Sequence, residues 1–168
     1  GCGIGKSIGY LVPIIDAIRS GRIQRAVVST AGITLQEQLL RKDIPQACRI
    51  AGAVSYTVLK GRANYYCQER ADMHDFDVSD DEVSTEVDAV AAWAETDPIG
   101  DLSVYPRQLS AGVKKAVQGS NDECDSPTCG GTECFYYRAR QRALNAQVLV
   151  VNHHLLVTDI SRPEAGIL

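Results

Sequence analysis

Apolar residues recur along the first part of the chain at the spacing of a helix. Between positions 5 and 19 they fall three or four residues apart, which matches one face of an α-helix. These residues are Ile8, Leu11, Val12, Ile15 and Ile18. Pro13 lies inside the pattern and predicts a kink, and the pair Ser20-Gly21 predicts the end of the helix.

Three short apolar runs predict buried strands at 25–30, 54–59 and 148–151. Runs of this length without alternating polar residues are typical of strands that are covered on both faces. Thr34 is predicted to cap a helix from Leu35 to about Arg41, between the first two strands. Because a helix joins one strand to the next, the sequence predicts an α/β protein with a parallel sheet.

The middle of the chain interrupts this alternation of helix and strand. Apolar spacing there predicts helices at about 81–95, 108–117 and 135–145. The segment 124–134 is rich in Gly, Pro and Ser, and it predicts an irregular loop.

The first seven residues, Gly1-Cys2-Gly3-Ile4-Gly5-Lys6-Ser7, carry the pattern of a phosphate-binding loop. Alternating glycines let the backbone N–H groups turn inward, and a helix N-terminus attracts phosphate. Lys6 is placed to reach the terminal phosphates of ATP, and the Ser7 hydroxyl is placed to bind Mg²⁺. A glycine-rich turn that merely precedes a helix is the alternative.

Composition is that of an ordinary globular domain of 168 residues, with a net charge of −4. The charge is uneven, since residues 70–101 hold eleven Asp and Glu against one Arg, and the remainder is basic. A basic body is compatible with binding to a phosphate backbone. No run of 18 apolar residues is present, so no membrane span is expected. The chain opens inside a motif that normally follows a strand, which predicts a piece of a longer protein.

Six cysteines without a secretory signal favour metal or redox chemistry over disulfides. Cys124, Cys129 and Cys134 are spaced five residues apart, and Cys67 lies 57 residues before the first of them. Four thiolates from two loops suit a tetrahedral zinc ion or an iron–sulphur cluster, and three unrelated loop thiols remain the alternative. Cys48 lies on a helical apolar pattern and is expected in the core.

Five motifs in order resemble the DinG branch of the XPD-like superfamily 2 helicases. They are the Gly1–Ser7 loop, Val-Val-Ser-Thr-Ala-Gly-Ile-Thr-Leu-Gln-Glu-Gln-Leu at 27–39, Leu-Lys-Gly-Arg-Ala-Asn-Tyr-Tyr-Cys at 59–67, the three later cysteines and Val-Val-Asn-His-His-Leu-Leu at 150–156. The resemblance covers nearly the whole chain and is much more specific than the phosphate loop alone.

The resemblance implies a RecA-like first motor domain with an inserted iron–sulphur domain. Residues 1–60 and 148–168 would form the motor, and residues 61–147 the insert. The whole Gly1–Ser7 loop would bind ATP and Mg²⁺, with catalytic roles for Lys6 and Ser7. The ligands of a [4Fe–4S] cluster would be Cys67, Cys124, Cys129 and Cys134.

The resemblance also implies a DNA helicase that moves 5′ to 3′ along single-stranded DNA. Ser29, Thr30 and Ala31 match the motif that contacts the single strand. Lys60 and Arg62 are candidate phosphate contacts, and Arg138 lies among aromatic residues on a helix suited to stacking and phosphate contact. A forked or R-loop duplex, a monomeric state and a cytoplasmic location are the matching expectations.

The sequence departs from the family pattern in two ways that bear on activity. Cys2 stands where these helicases usually have Thr, and the acidic Asp-Glu-Ala-His box is missing, so the chain alone is not expected to hydrolyse ATP. The alternative function is a zinc-stabilised four-cysteine P-loop module that binds nucleic acid without helicase activity. A P-loop kinase is disfavoured, because it has no use for the cysteines or the Ser-Thr motif.

Overall fold

The computed structural model describes residues 5–74, 81–120, 124 and 131–161. Its helices are α1 (Lys6–Arg19), α2 (Ile33–Gln38), α3 (Ile44–Ala51), α4 (Gln68–His74), α5 (Asp81–Thr96), α6 (Ala111–Val117), α7 (Phe135–Asn145) and α8 (His153–Ser161). Its strands are β1 (Ala26–Thr30), β2 (Tyr56–Val58) and β3 (Val148–Asn152). Short 3₁₀ turns lie at Arg62–Asn64, Leu102–Val104 and Gly131–Glu133.

The three strands form a parallel sheet in the order β1-β3-β2. Ala26 and Tyr56 both lie opposite Val148, so the two outer strands enter the sheet at the same level. Residues Val148–Val151 of the central strand are fully buried, as expected for a strand covered on both faces. The predicted α/β class with a parallel sheet is confirmed.

One face of the sheet packs against α1 and α3. Val28, Val148 and Val150 project from alternate strand positions into a core that also contains Leu11 and Ile15 of α1. Ile44 and Ala47 of α3 lie in the same core. The apolar stripe predicted for α1 is therefore the surface that fixes this helix on the sheet.

The region after β1 differs from its prediction. Gly32, in extended conformation, precedes the first residue of α2, and Thr34 lies inside the helix without capping it. A π-helical turn at Leu39–Asp43 then continues the chain into α3, which carries a proline in its first turn. The predicted helix at 35–41 is thus replaced by two helices joined by a wider turn. A proline is tolerated there because first-turn N–H groups need no intrahelical acceptor.

The chain divides into two compact units, one of Gly1–Lys60 with Arg140–Leu168 and the other of Gly61–Ala139. The second unit has its own core, in which Val87 and Val90 of α5 pack with Val113 and Val117 of α6 and with Tyr66. The boundary falls within α7. The identity of residues 61–147 as an iron–sulphur insert stays a prediction. Among the described helices, none is both long and apolar enough to cross a membrane.

Candidate nucleotide, DNA and thiol sites

The N-terminus of α1 is the described part of the predicted phosphate site. Gly5 precedes the helix with a φ of +102°, in the left-handed region that glycine enters without strain. Lys6 is the first helical residue and is exposed, and Ser7 is half-buried. The other predicted loop residues, Gly1, Cys2, Gly3 and Ile4, lie outside the described residues.

Connectivity places this helix N-terminus at the edge of the sheet where the strands end. Residues 20–25 link the C-terminus of α1 to the start of β1, and α1 packs along the sheet. The helix therefore runs against the strands, and its N-terminus lies toward their carboxyl ends. Open α/β sheets bind their ligands at this edge, where the exposed N–H groups of a helix favour an anion.

The predicted DNA-contacting residues Ser29, Thr30 and Ala31 lie at the carboxyl end of β1. Ser29 Oγ and His153 Nδ1 share a hydrogen bond of 2.7 Å, which joins β1 to the first residue of α8. Thr30 is buried and its hydroxyl donates to the Gly32 carbonyl at 3.2 Å, whereas Ala31 is exposed. Of these three residues, Ser29 and Ala31 are the ones that a ligand can reach.

His153 is a site residue that the sequence did not assign. Asn152 accepts a hydrogen bond from the Leu155 N–H at 2.7 Å through its side chain, which caps α8. This cap begins the helix directly after β3 and brings His153 to Ser29. An Asn that follows a buried strand and precedes two His was the available signal, because Asn is a preferred N-cap residue.

Lys60, a predicted phosphate contact, is fully buried in the first unit. Its Nζ lies 3.0 Å from Oε1 of Glu37 on α2, and the other carboxylate oxygen of Glu37 lies 2.9 Å from Nε of Arg41. Of the two cations that contact Glu37, Lys60 is buried and the Arg41 side chain is 71% exposed. The placement of Lys60 favours a structural role over the predicted contact with DNA.

The two cations also set the pKa of Glu37. Partial burial acts to raise this pKa, but hydrogen bonds from Lys60 and Arg41 and their positive charges outweigh burial, so that the pKa lies below 4.5. The carboxylate is therefore ionised at neutral pH. It satisfies a buried ammonium group that would otherwise be costly to hold away from water.

Arg62 and Arg138, the remaining predicted DNA contacts, both stack on aromatic rings of the second unit. The Arg62 guanidinium lies 5.0 Å from the Tyr136 ring centre and donates to the Cys124 carbonyl at 2.9 Å. The Arg138 guanidinium lies 4.4 Å from the Phe135 ring centre. Such cation–π contacts fix a guanidinium in place, and both arginines remain half-buried.

Arg138 borders a cavity of about 470 Å³ whose wall includes Tyr66, Phe135 and the acidic residues Glu95, Asp97 and Glu133. The carboxylates oppose the approach of DNA phosphates to this side of Arg138.

Three of the four predicted ligand thiols belong to the described residues of the second unit, and Cys129 lies outside them. The buried Cys67 donates its N–H to the Val117 carbonyl at 2.7 Å. The Cys134 carbonyl accepts from the Arg138 N–H at 3.0 Å, in the first turn of α7. The backbone at each of these positions is therefore held by regular hydrogen bonding.

The chemistry of Cys67 shows that these thiols share one neighbourhood. Burial raises the pKa of Cys67 most, a backbone hydrogen bond lowers it, and the nearby Cys124 and Cys134 raise it further. Within the described residues, no three His, Cys, Asp or Glu side chains are arranged to hold a metal ion. Cysteine thiols are the ligands of iron–sulphur clusters, and the described thiols lie near one another without forming a closed ligand shell.

The structure is an α/β fold with a helix N-terminus at the carboxyl ends of its strands, and comparison relates the chain to a class of enzymes. Over nearly its whole length the chain is homologous to bacterial proteins that are named ATP-dependent helicases. This similarity confirms the resemblance that the motifs predicted. No protein-family model matches the chain.

Three relatives give the range of this similarity. The chain is 32% identical over 174 residues to the ATP-dependent DNA helicase YoaA of Escherichia coli K12, covering 99% of the chain and 26% of the relative. It is 36% identical over 182 residues to the ATP-dependent helicase DinG of Mycobacterium tuberculosis H37Rv, covering 95% and 27%. It is 31% identical over 163 residues to the 3′-5′ exonuclease DinG of Bacillus subtilis 168, covering 94% and 17%. The chain thus spans about a quarter or less of these relatives.

Proposed function

We propose that the chain forms part of the first RecA-like motor domain of an ATP-dependent DNA helicase of the DinG type. The observation that carries the proposal is the placement of Lys6 and Ser7 at a helix N-terminus, at the strand-end edge that also holds Ser29 and His153. Nucleotide and single-stranded DNA would then bind at one edge of one sheet. Homology to named helicases supports the same assignment.

In this proposal the loop binds ATP by neutralising the charge of its phosphates and by fixing the position of its Mg²⁺. Lys6 neutralises the β- and γ-phosphates, and the Ser7 hydroxyl is a ligand of the Mg²⁺ that accompanies ATP. Ser29 and Ala31 contact the single strand, Arg62 contributes a phosphate contact, and translocation runs 5′ to 3′. The Asp-Glu-Ala-His box that activates water is missing from these 168 residues, so turnover requires the longer protein.

The test is ATP hydrolysis by the full-length protein that carries this chain, with and without single-stranded DNA. Lys6→Ala is expected to reduce DNA-stimulated hydrolysis about 100-fold, because it removes a charge that stabilises the transition state. Lys42→Ala, at an exposed lysine of the same unit, is the matched control and is expected to hydrolyse ATP normally. Equal rates for the Lys6 variant and the wild-type protein would refute the nucleotide site.

Direction and substrate are tested by strand separation. Duplexes with a 5′ tail are expected to be unwound in an ATP-dependent reaction, and duplexes with only a 3′ tail are not. Forked and R-loop substrates then rank the preferred structure. Unwinding from the 3′ tail alone would contradict the proposed direction and leave the nucleotide site intact.

We further propose that Cys67, Cys124, Cys129 and Cys134 hold a [4Fe–4S] cluster. When bound, the cluster would cross-link the segment at Cys67 to the loop of the other three cysteines. Burial raises the pKa of Cys67, and a thiol that binds iron does so as the thiolate, with loss of its proton. The hydrogen bond from Arg62 to the Cys124 carbonyl holds part of that loop beside the aromatic pair Tyr65 and Tyr136.

Iron and sulphide content of the anaerobically purified chain tests the cluster. We expect about four irons per chain and a broad visible absorption, both lost in Cys129→Ser. Cys48→Ser, which removes a thiol of the first unit, is the control and is expected to retain the iron. Stoichiometric zinc in a colourless protein would instead support the four-cysteine zinc alternative.

A further inference from the structure

We propose that Lys60 is a positioning residue, which holds the DNA-contacting end of β1 and α2 in place through its buried ion pair with Glu37. The inference rests on the proposed binding of single-stranded DNA at this edge. It assigns to Lys60 an indirect role that differs from the phosphate contact expected of a lysine in this motif.

Lys60 and Glu37 of α2 form a close ion pair. Lys60 is fully buried, its Nζ lies 3.0 Å from the Glu37 carboxylate, and the Glu37 side chain is 25% exposed. A lysine in this position cannot reach a phosphate without leaving its carboxylate and its pocket. Because an unpaired buried ammonium is costly, the pair is held together firmly.

The ion pair connects two segments that follow different strands of the sheet. Glu37 lies on α2, the helix that follows β1, whereas Lys60 follows β2. The strand order β1-β3-β2 separates these strands by the whole width of β3, about 10 Å between the outer strands. The Leu59 N–H donates to the Val150 carbonyl at 2.9 Å, so Lys60 leaves the sheet near the carboxyl end of β3. The ion pair therefore spans the strand-end edge.

The ion pair is linked to the proposed DNA-contacting residues through α2. Only Ala31 and Gly32 lie between Thr30 and the first residue of α2, so the position of α2 limits the path of the segment that carries Ala31. The hydrogen bond between Ser29 and His153 holds the same segment from the side of β3. Lys60 thus completes a set of contacts that fixes this short segment between two anchored elements.

The experiment measures the affinity of the full-length protein for a fluorescein-labelled oligothymidylate, well below the unfolding temperature and over a range of salt concentrations. Lys60→Met is expected to weaken binding about fivefold, the low end of coupling between sites. The slope of log affinity against log salt is expected to stay unchanged. A direct phosphate contact would instead reduce that slope by about 0.7.

Matched variants separate positioning from other roles. Arg41→Met removes the exposed partner of the same carboxylate and is expected to bind the oligonucleotide within twofold of the wild-type protein. Glu37→Gln removes the carboxylate charge from the same ion pair. If Lys60→Met does not fold, the oligonucleotide affinity of Glu37→Gln is measured instead. The double variant is expected to bind no more weakly than the weaker single variant, because both changes remove the same Lys60–Glu37 ion pair.

Three results would contradict the proposed role of Lys60 or the DNA binding on which it rests. Wild-type affinity in both Lys60→Met and Glu37→Gln, with only their unfolding temperatures lowered, would overturn the inference and leave Lys60 as a stability residue. A reduced salt slope in Lys60→Met would also overturn it in favour of direct contact. If the wild-type protein fails to bind the oligonucleotide, the proposed function fails first, and that result differs from either of these.

Discussion

At the scale of single residues, the carboxylate of Glu37 makes stability depend on pH. Its pKa in the folded chain lies below 4.5 because Lys60 and Arg41 favour the charged form over the effect of burial. A lowered folded pKa stabilises the fold above the unfolded value, and the stabilisation is lost as the pH falls through the folded value. Glu37→Gln is therefore expected to cost about 1–3 kcal/mol at pH 7.

Urea unfolding of wild-type protein and Glu37→Gln between pH 7 and pH 3.5 measures this contribution. The difference in unfolding free energy is expected to be constant near neutral pH. It shrinks as the pH falls below the unfolded value of about 4.5 toward the lower folded pKa, at which the folded carboxylate takes up its proton. Protonation of the other acidic groups changes the unfolding free energy of both proteins equally, so it cancels when the two free energies are subtracted. A difference that grows as the pH falls would contradict this assignment of the sign.

The sequence could not predict the surroundings of Lys60. Lysine is rarely buried, and a lysine beside a glycine and an arginine is typical of an exposed basic patch. The partner Glu37 lies 23 residues away, and only the order of strands in the folded sheet brings the two together. His153 shows the same limit, because its contact with Ser29 joins residues that are 124 positions apart.

At the scale of elements, two glycines with similar backbones are expected to tolerate alanine differently. Gly21 follows α1 with a φ of +74° and has open space at its Cβ position. Gly100 follows α5 with a φ of +64°, and a Cβ there would lie 2.4 Å from the ring of Phe135. Both substitutions pay about 1–2 kcal/mol for a left-handed residue, and Gly100→Ala is expected to lose about 1–3 kcal/mol more through overpacking.

Urea unfolding followed by circular dichroism compares the two alanine variants. Trp93 lies on α5, and the centre of its ring is 5.2 Å from the centre of the Tyr105 ring. Its fluorescence therefore also reports unfolding of the second unit, where Gly100 lies. An equal loss of stability in the two variants would show that Phe135 moves aside without cost.

Elements with a strong internal period were predictable, and elements set by their neighbours were not. The spacing and composition of 135–145 predicted α7 to the residue, and the apolar run at 148–151 predicted all but the last residue of β3. The helix predicted at 35–41 is helical in the structure, but apolar spacing did not predict its start at Ile33 or its change to a π-helical turn at Leu39–Asp43. The predicted cap at Thr34 failed because Gly32 begins α2 two residues earlier.

At the scale of the whole molecule, the chain has two separate cores. Val28, Val148 and Val150 belong to the core of the first unit, and Val90 and Val113 to that of the second. The sequence predicted a change of architecture after Lys60 from the loss of the strand and helix alternation. The resemblance implied a return to the motor domain at residue 148, whereas the first unit resumes at Arg140, inside the continuous helix α7.

Two cores imply that removal of the proposed cluster affects the second unit first. Its ligands would all lie in that unit, and metal binding to a site of this kind contributes directly to folding. Chelation or Cys67→Ser is therefore expected to raise amide hydrogen exchange at least tenfold in α4, α5 and α6. Exchange in β1, β3 and α1 is expected to stay within about twofold, because their stability comes from a different core.

Hydrogen-exchange mass spectrometry of the iron-loaded and iron-free chains measures both sets of peptides, with Cys48→Ser as the control for loss of a thiol. Uniform loss of protection across both units would show that the chain unfolds as one cooperative body, and unchanged protection in α4–α6 would show that the four cysteines do not support the fold of the second unit.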